Sequence, residues 1–272
     1  MVNILLAFGL TLIAGLSTGI GSAIAFFSKK TNTKFLSASL GFSAGVMIYV
    51  SMIEIFVKAQ DALRAELGFK AGSWATVAAF FGGMVIMALI DRFVPSEENP
   101  HVIYKIEEIG ELVEDSPKAD SNASLLRTGK FTALAVAIHN FPEGLATFIS
   151  ALQEPSIAIP ITVAIAIHNI PEGIAVSVPV YYATGDKKKA FYYSFASGLS
   201  EPLGALIGYL ILMPFINDLV FGIIFGAVAG IMVYISLDEL LPTAQEYGEH
   251  HIAIYGLMAG MAVMALSLLL FL

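Results

Sequence analysis

The sequence contains no cysteine, which excludes thiolate metal sites, disulfides and soft Cu(I)-type chemistry. Charge is scarce too: 13% of residues are charged against 57% hydrophobic, and the mean hydropathy is +0.79. Those values exclude an ordinary soluble domain and imply an integral membrane protein, and the length of its apolar runs makes an all-α one the expectation. The net charge of −8 comes largely from one stretch rich in Glu and Asp, so it is local and does not indicate a nucleic-acid partner. No Lys or Arg stands before the first run of mostly apolar residues. That run lacks the charged head of a signal peptide and is expected to remain as an anchor.

One hexapeptide is written twice, as His139-Asn140-Phe141-Pro142-Glu143-Gly144 and His168-Asn169-Ile170-Pro171-Glu172-Gly173. Ala135 to Ala146 and Ala164 to Ala175 agree at nine of twelve positions, and the mismatches are Val/Ile, Phe/Ile and Leu/Ile. On a helix, His and Glu four residues apart share a face. His139 with Glu143, and His168 with Glu172, can therefore reach one cation. Asn140 and Asn169 fall three residues before the same carboxylates, on the adjacent stripe, which suggests two metal positions sharing Glu143 and Glu172. Pro142 and Pro171 withdraw a backbone donor from the carbonyls of Ile138 and Ile167 and predict kinks. Polar, kinked helix within a membrane lines a cavity.

About 20 apolar residues cross a bilayer, which predicts eight spans at roughly 3–27, 36–58, 73–94, 127–151, 156–183, 189–212, 217–241 and 250–271. They form a single polytopic domain over 1–272, with an acidic loop at about 95–126. Eleven of the Lys and Arg residues, from Lys29 to Lys34, Arg92 to Lys130 and Lys187 to Lys189, fall in alternate loops; Lys58, Arg64 and Lys70 fall in the others. The excess marks the cytoplasmic side, so both termini are expected outside. The turn from Leu152 to Ser156 is short and makes the fourth and fifth segments antiparallel neighbours, which lets the two motifs face each other.

Outside the motifs, the first segment is rich in Gly and Ser and is assigned to packing. Met47, Ser51 and Glu54 follow one another at i, i+4 and i+7 on one stripe; Glu54 is read either as part of a polar face with Met47 or as an acid solvated near the outer end of its span. Ser194, Ser197 and Glu201 form a similar stripe, with Glu201 a third site carboxylate beside Pro202. Asp238 and Glu239, with Glu246, Glu249, His250 and His251 beyond them, are expected as surface groups. The acidic stretch around His101 is expected as a solvated linker.

Each charge buried in lipid costs about 2.5 to 3.5 kcal/mol, so Glu143, Glu172 and Glu201 together would cost on the order of 8 to 10 kcal/mol if ionised and unpaired. No Lys or Arg lies within the middle of a predicted span. A cation or protons must neutralise them. Imidazole, carboxylate and amide oxygen together suit borderline divalent ions such as Zn(II), Fe(II), Mn(II) and Co(II). Protonation of those ligands offers a route for release.

Both hexapeptides, with Ser39-Leu-Gly-Phe-Ser-Ala-Gly-Val-Met47, Gly198-Leu-Ser-Glu201 and Val228-Ala-Gly-Ile-Met232, resemble the ZIP (Zrt/Irt-like) metal transporter family, most closely its bacterial ZupT-like branch. The likeness covers nearly the whole chain. It implies a 3+2+3 bundle with spans one to three and six to eight as inverted repeats, and a binuclear centre between spans four and five. One position would draw on Met47, His139, Glu143, His168 and Glu172, the other on Asn140, Glu143, Asn169, Glu172 and Glu201. It further implies import of Zn, Fe, Mn, Co or Cd into the cytoplasm across the inner cell membrane, alternating access and association as a homodimer, with no cofactor.

A membrane-embedded di-metal enzyme is the alternative, because inward-facing Glu and His on a four-helix core also build such centres. Against it, the chain has no His-Glu-x-x-His element and no second base beyond the ligand set. A metal-sensing receptor would need a folded effector, and the 95–124 stretch is too short and too charged for one.

Overall fold

The computed structural model describes residues 2–27, 33–93, 118–153, 155–212, 215, 217–247 and 250–270. Most of the acidic linker, including His101, lies outside the described residues. The described chain is helical throughout and forms eight rods. They are α1 (Val2–Phe27), α2 (Thr33–Val50, continued by a π-turn Ser51–Ile55 and by Phe56–Leu67), α3 (Phe69–Phe93) and α4 (Lys118–Gln153). Then come α5 (Pro155–Thr184), α6 (Lys187–Gly198, Ser200–Ile207 and a π-turn Gly208–Leu212), α7 (Asp218–Ile235, a π-turn Ser236–Leu240 and Leu241–Tyr247) and α8 (His250–Leu270).

Among the described residues six stretches are long and apolar enough to cross a membrane: Ile4–Phe26, Ser37–Leu67, Phe69–Arg92, Ile161–Thr184, Asp218–Gln245 and His251–Leu270. The other two rods, α4 and α6, hold His139, Asn140, Glu143 and Glu201. Large apolar side chains including Trp74, Phe81, Leu210 and Leu270 are exposed. A surface of that kind suits lipid, not water.

Several rods outrun the hydropathy reading for local reasons. α2 continues past Lys58 to Leu67 as an amphipathic helix whose Ala59 and Leu63 are buried, and it stops at Gly68, whose φ of 80° only glycine adopts freely. α7 passes Pro242, which directly follows the π-turn, where the backbone pairing has already shifted, Leu241 N–H donating to Ser236 O. α4 begins at Lys118, not 127, its first turns polar. α6 starts on Asp186, whose carboxylate accepts from the N–H groups of Lys188 and Lys189. It breaks at Leu199 because Pro202 has no N–H for the carbonyl of Gly198.

Two sets of rods pack most closely among themselves: α1, α4, α5 and α6 in one, α2, α3, α7 and α8 in the other. Apolar residues such as Met47, Phe148, Ile161, Phe225 and Met232 fill one continuous core between them. The packing has an internal exchange. If α1 is swapped with α6, α2 with α7, α3 with α8 and α4 with α5, the contacts α1/α5 and α2/α8 become α6/α4 and α7/α3, which also occur.

The sequence repeats in step with this exchange. Gly15-Leu-Ser17 of α1 recurs as Gly198-Leu-Ser200 of α6, and each serine hydroxyl donates to the carbonyl three residues back. Gly41, Ala44, Gly45, Met47, Tyr49, Ser51 and Glu54 recur 185 residues later as Gly226, Ala229, Gly230, Met232, Tyr234, Ser236 and Glu239. Gly15 lies on the carbonyl of Gly198 and Gly198 on that of Gly15. The Gly and Ser content of the first segment is therefore packing surface, as its composition suggests.

Candidate metal centre

The short break between Gln153 and Pro155 folds α4 back along α5. Reciprocal pairs cross that interface. His139 Nε2 donates to Glu172 Oε1 at 2.9 Å, and His168 Nε2 to Glu143 Oε2 at 3.1 Å. Residue numbers that rise on one helix fall on the other, as an antiparallel crossing requires. The same-helix partner is farther away: His168 Nε2 is 3.9 Å from Glu172 Oε1. Each imidazole thus takes its first partner from the other copy of the motif.

Two motif glycines permit this closeness. A Cβ on Gly144 would strike the backbone carbonyl of Glu201 on α6, and one on Gly173 that of Thr18 on α1. The hexapeptides therefore press against α6 and α1 while their polar side chains meet in the middle. Ser22 and Ser194 donate to the carbonyl of Gly173 from either side, at 3.3 and 3.2 Å. Ser197 donates to Ser194 O at 2.7 Å, bracing α6 rather than entering the site.

Asn169 links the quartet to Glu201. Its Nδ2 donates to the carbonyl of Ala14 at 3.0 Å and to Glu201 Oε1 in a short contact. Glu201, Asn140, Asn169 and Glu143 are wholly buried, and His139, His168 and Glu172 nearly so. Met47 is buried within the apolar core, not in the hydrogen-bonded group. The π-turn that starts at Ser51 also breaks the straight stripe expected for Met47, Ser51 and Glu54. Glu54 itself is half-buried and pairs with Lys58 at 3.2 Å.

Glu239 departs from its expected place. It is buried, 4% exposed, and its Oε2 lies 3.8 Å from His139 Nδ1. Nearness to charged residues at the end of a span made it read as surface. The π-turn Ser236–Leu240 turns it inward instead. Its signal in the sequence is the recurrence of Glu54 at 185 residues' distance, visible once α2 and α7 are superposed.

Several buried atoms of this group make no hydrogen bond: Glu143 Oε1, His168 Nδ1, both amide atoms of Asn140, Asn169 Oδ1 and Glu201 Oε2. Such atoms cost about 1 to 3 kcal/mol each, so their concentration in one place calls for a function. Among the described residues no group of three or more His, Asp or Glu stands arranged to hold a metal ion; the donors are engaged with one another.

Residues 107–268 match the family profile described as ZIP Zinc transporter. The chain belongs to the ZIP family. It is 66% identical over its whole length to the zinc transporter ZupT of Clostridium perfringens, covering 98% of that protein. It is 67% identical to ZupT of Streptococcus mutans, with 97% of each chain aligned, and 60% identical to ZupT of Nitratidesulfovibrio vulgaris, with 99% of this chain and 98% of that one aligned. ZIP proteins are transporters, which removes the di-metal enzyme as an alternative. With six stretches able to cross a membrane, this ZIP chain is a multi-pass membrane protein.

Proposed function

We propose that the chain imports Zn(II), and also Fe(II), Mn(II), Co(II) or Cd(II), into the cytoplasm across the inner cell membrane, through two metal positions shared between α4 and α5. The crosswise pairing of His139 with Glu172 and His168 with Glu143 carries this reading. Imidazole and carboxylate compensate each other when no cation is present, and they are the donor types that borderline divalent ions prefer. A metal entering the group parts these pairs and takes over their neutralising role. Its departure lets protons return, so the site need not hold bare charge in lipid at any stage.

In this reading Met47, His139, Glu143, His168 and Glu172 hold one ion, and Asn140, Glu143, Asn169, Glu172 and Glu201 the other. The unbonded oxygens of Glu143, Asn169 and Glu201 support the second position. All eight rods cross the membrane, with α1–α3 and α6–α8 as inverted repeats, both termini outside, the acidic 95–126 stretch cytoplasmic and two copies associating as a homodimer. The looser contact between the two sets of rods supports alternating access, with α1, α4, α5 and α6 moving against the rest.

The test is uptake by purified protein in vesicles free of metal. Labelled Zn(II) should enter without ATP. No influx of any divalent ion, with binding intact, would end the proposal.

A further inference from the structure

Glu239 has a counterpart that does nothing comparable. The exchange that maps α7 onto α2 and α4 onto α5 also maps Glu239 onto Glu54 and His139 onto His168. Both acids stand fourth in a π-turn at the same place in the repeat, Ser51–Ile55 and Ser236–Leu240. π-turns are rare, and two at matched positions mark a preserved device, not an accident of packing. Yet only one half is engaged: Glu239 approaches His139 to 3.8 Å, whereas Glu54 pairs with Lys58 at 3.2 Å. The Glu54 side chain is 17% exposed and that of Glu239 5%.

Two halves of like sequence in unlike states are what a transporter built on exchanged repeats shows at one end of its cycle. The unlike contact then names the alternative state. We propose that Glu54 is a substrate-binding residue at the opposite mouth of the path: when the halves exchange conformations, Glu239 withdraws from His139 and Glu54 leaves Lys58 to close on His168. Each acid in turn offers a carboxylate oxygen to the divalent cation beside an imidazole, so the ion meets the same donor pair on entering and on leaving. Lys58 is the asymmetric part. Its equivalent on α7 is Thr243, so the ammonium group that holds Glu54 away from the site has no counterpart at that position of the repeat. This inference rests on the reading of the chain as an alternating-access metal transporter.

The absence of cysteine makes the test direct. In the full-length chain in membranes, His139→Cys is combined with Glu239→Cys, and separately His168→Cys with Glu54→Cys. Bridging by Hg(II) is read by mass spectrometry of the linked peptides. Both pairs should bridge, although only the first is close in the structure. Bridging of 139 with 239 but never of 168 with 54 overturns the role given to Glu54. A second measurement leaves the imidazoles intact: in oriented vesicles Glu54→Gln should raise the KM for Zn(II) roughly tenfold from one side, Glu239→Gln from the other, and Glu54→Asp should restore part of the loss. An equal effect from both sides overturns the assignment as well. Wild-type protein that carries no Zn(II) refutes the transporter reading itself; wild-type uptake without a 54–168 bridge refutes only Glu54.

Discussion

His139 on one copy of the hexapeptide lies 2.9 Å from Glu172 on the other, and His168 answers at 3.1 Å from Glu143. Neither copy is complete alone. Glu172→Gln keeps the shape of the side chain and removes its charge, and Glu143→Ala removes the carboxylate that pairs with His168 and that the proposed function shares between both metal positions. Each should lower Zn(II) affinity and uptake by roughly 10- to 100-fold or more, with normal insertion. Uptake by membrane vesicles, beside a blot of inserted protein, checks this; unchanged uptake in both variants refutes the shared-carboxylate arrangement.

His168 supplies one of the two imidazoles, and nitrogen ligands separate Zn(II) from ions that favour oxygen. His168→Ala should therefore reorder Zn, Fe, Mn and Cd more than it changes the total flux. Competition among labelled ions measures the order, and an unaltered order removes His168 from the selecting group.

Gly173 seats α5 against the backbone of α1 at Thr18. Gly173→Ala places a methyl group on a carbonyl, and overpacking of this kind costs about 1 to 3 kcal/mol. Thermal unfolding in detergent should move to lower temperature, while Gly82→Ala, which meets open space inside a helix, should leave the transition in place or raise it slightly. Equal transitions for the two would contradict the close approach.

If the proposed ligands hold the metal, protons compete with it for the same nitrogen and oxygen atoms, so binding releases protons and weakens as pH falls. Initial uptake rates at subsaturating Zn(II) should drop between about pH 7.5 and about pH 5.5, and the drop should shrink when Zn(II) is saturating. A loss of the same size at every Zn(II) concentration would place the pH effect outside the site.

Much of this architecture was legible in the sequence because the two decisive features are local. The repeated hexapeptide stands out against apolar surroundings, and the short turn after Leu152 places the copies face to face. What was hidden depends on backbone geometry that periodicity does not encode. Spacing at i and i+4 pointed to His139 with Glu143, but antiparallel packing brings Glu172 closer. The π-turns were invisible to a reading at 3.6 residues per turn, so Glu239 was expected at the surface and Met47 in line with Glu54. Helix ends differ from the hydropathy reading where charge begins before the helix stops, as beyond Lys58, and where a proline follows a π-turn that carries the helix on, as at Pro242.

The most direct measurement is X-ray absorption at the zinc edge on purified, Zn(II)-loaded protein. The metal bound by the wild-type chain should show a shell of nitrogen and oxygen at about 2.0 to 2.2 Å with the outer scattering of imidazole. That imidazole signature should vanish in the His139→Ala, His168→Ala double variant. An imidazole signature that survives in the double variant would place the metal elsewhere and contradict the account.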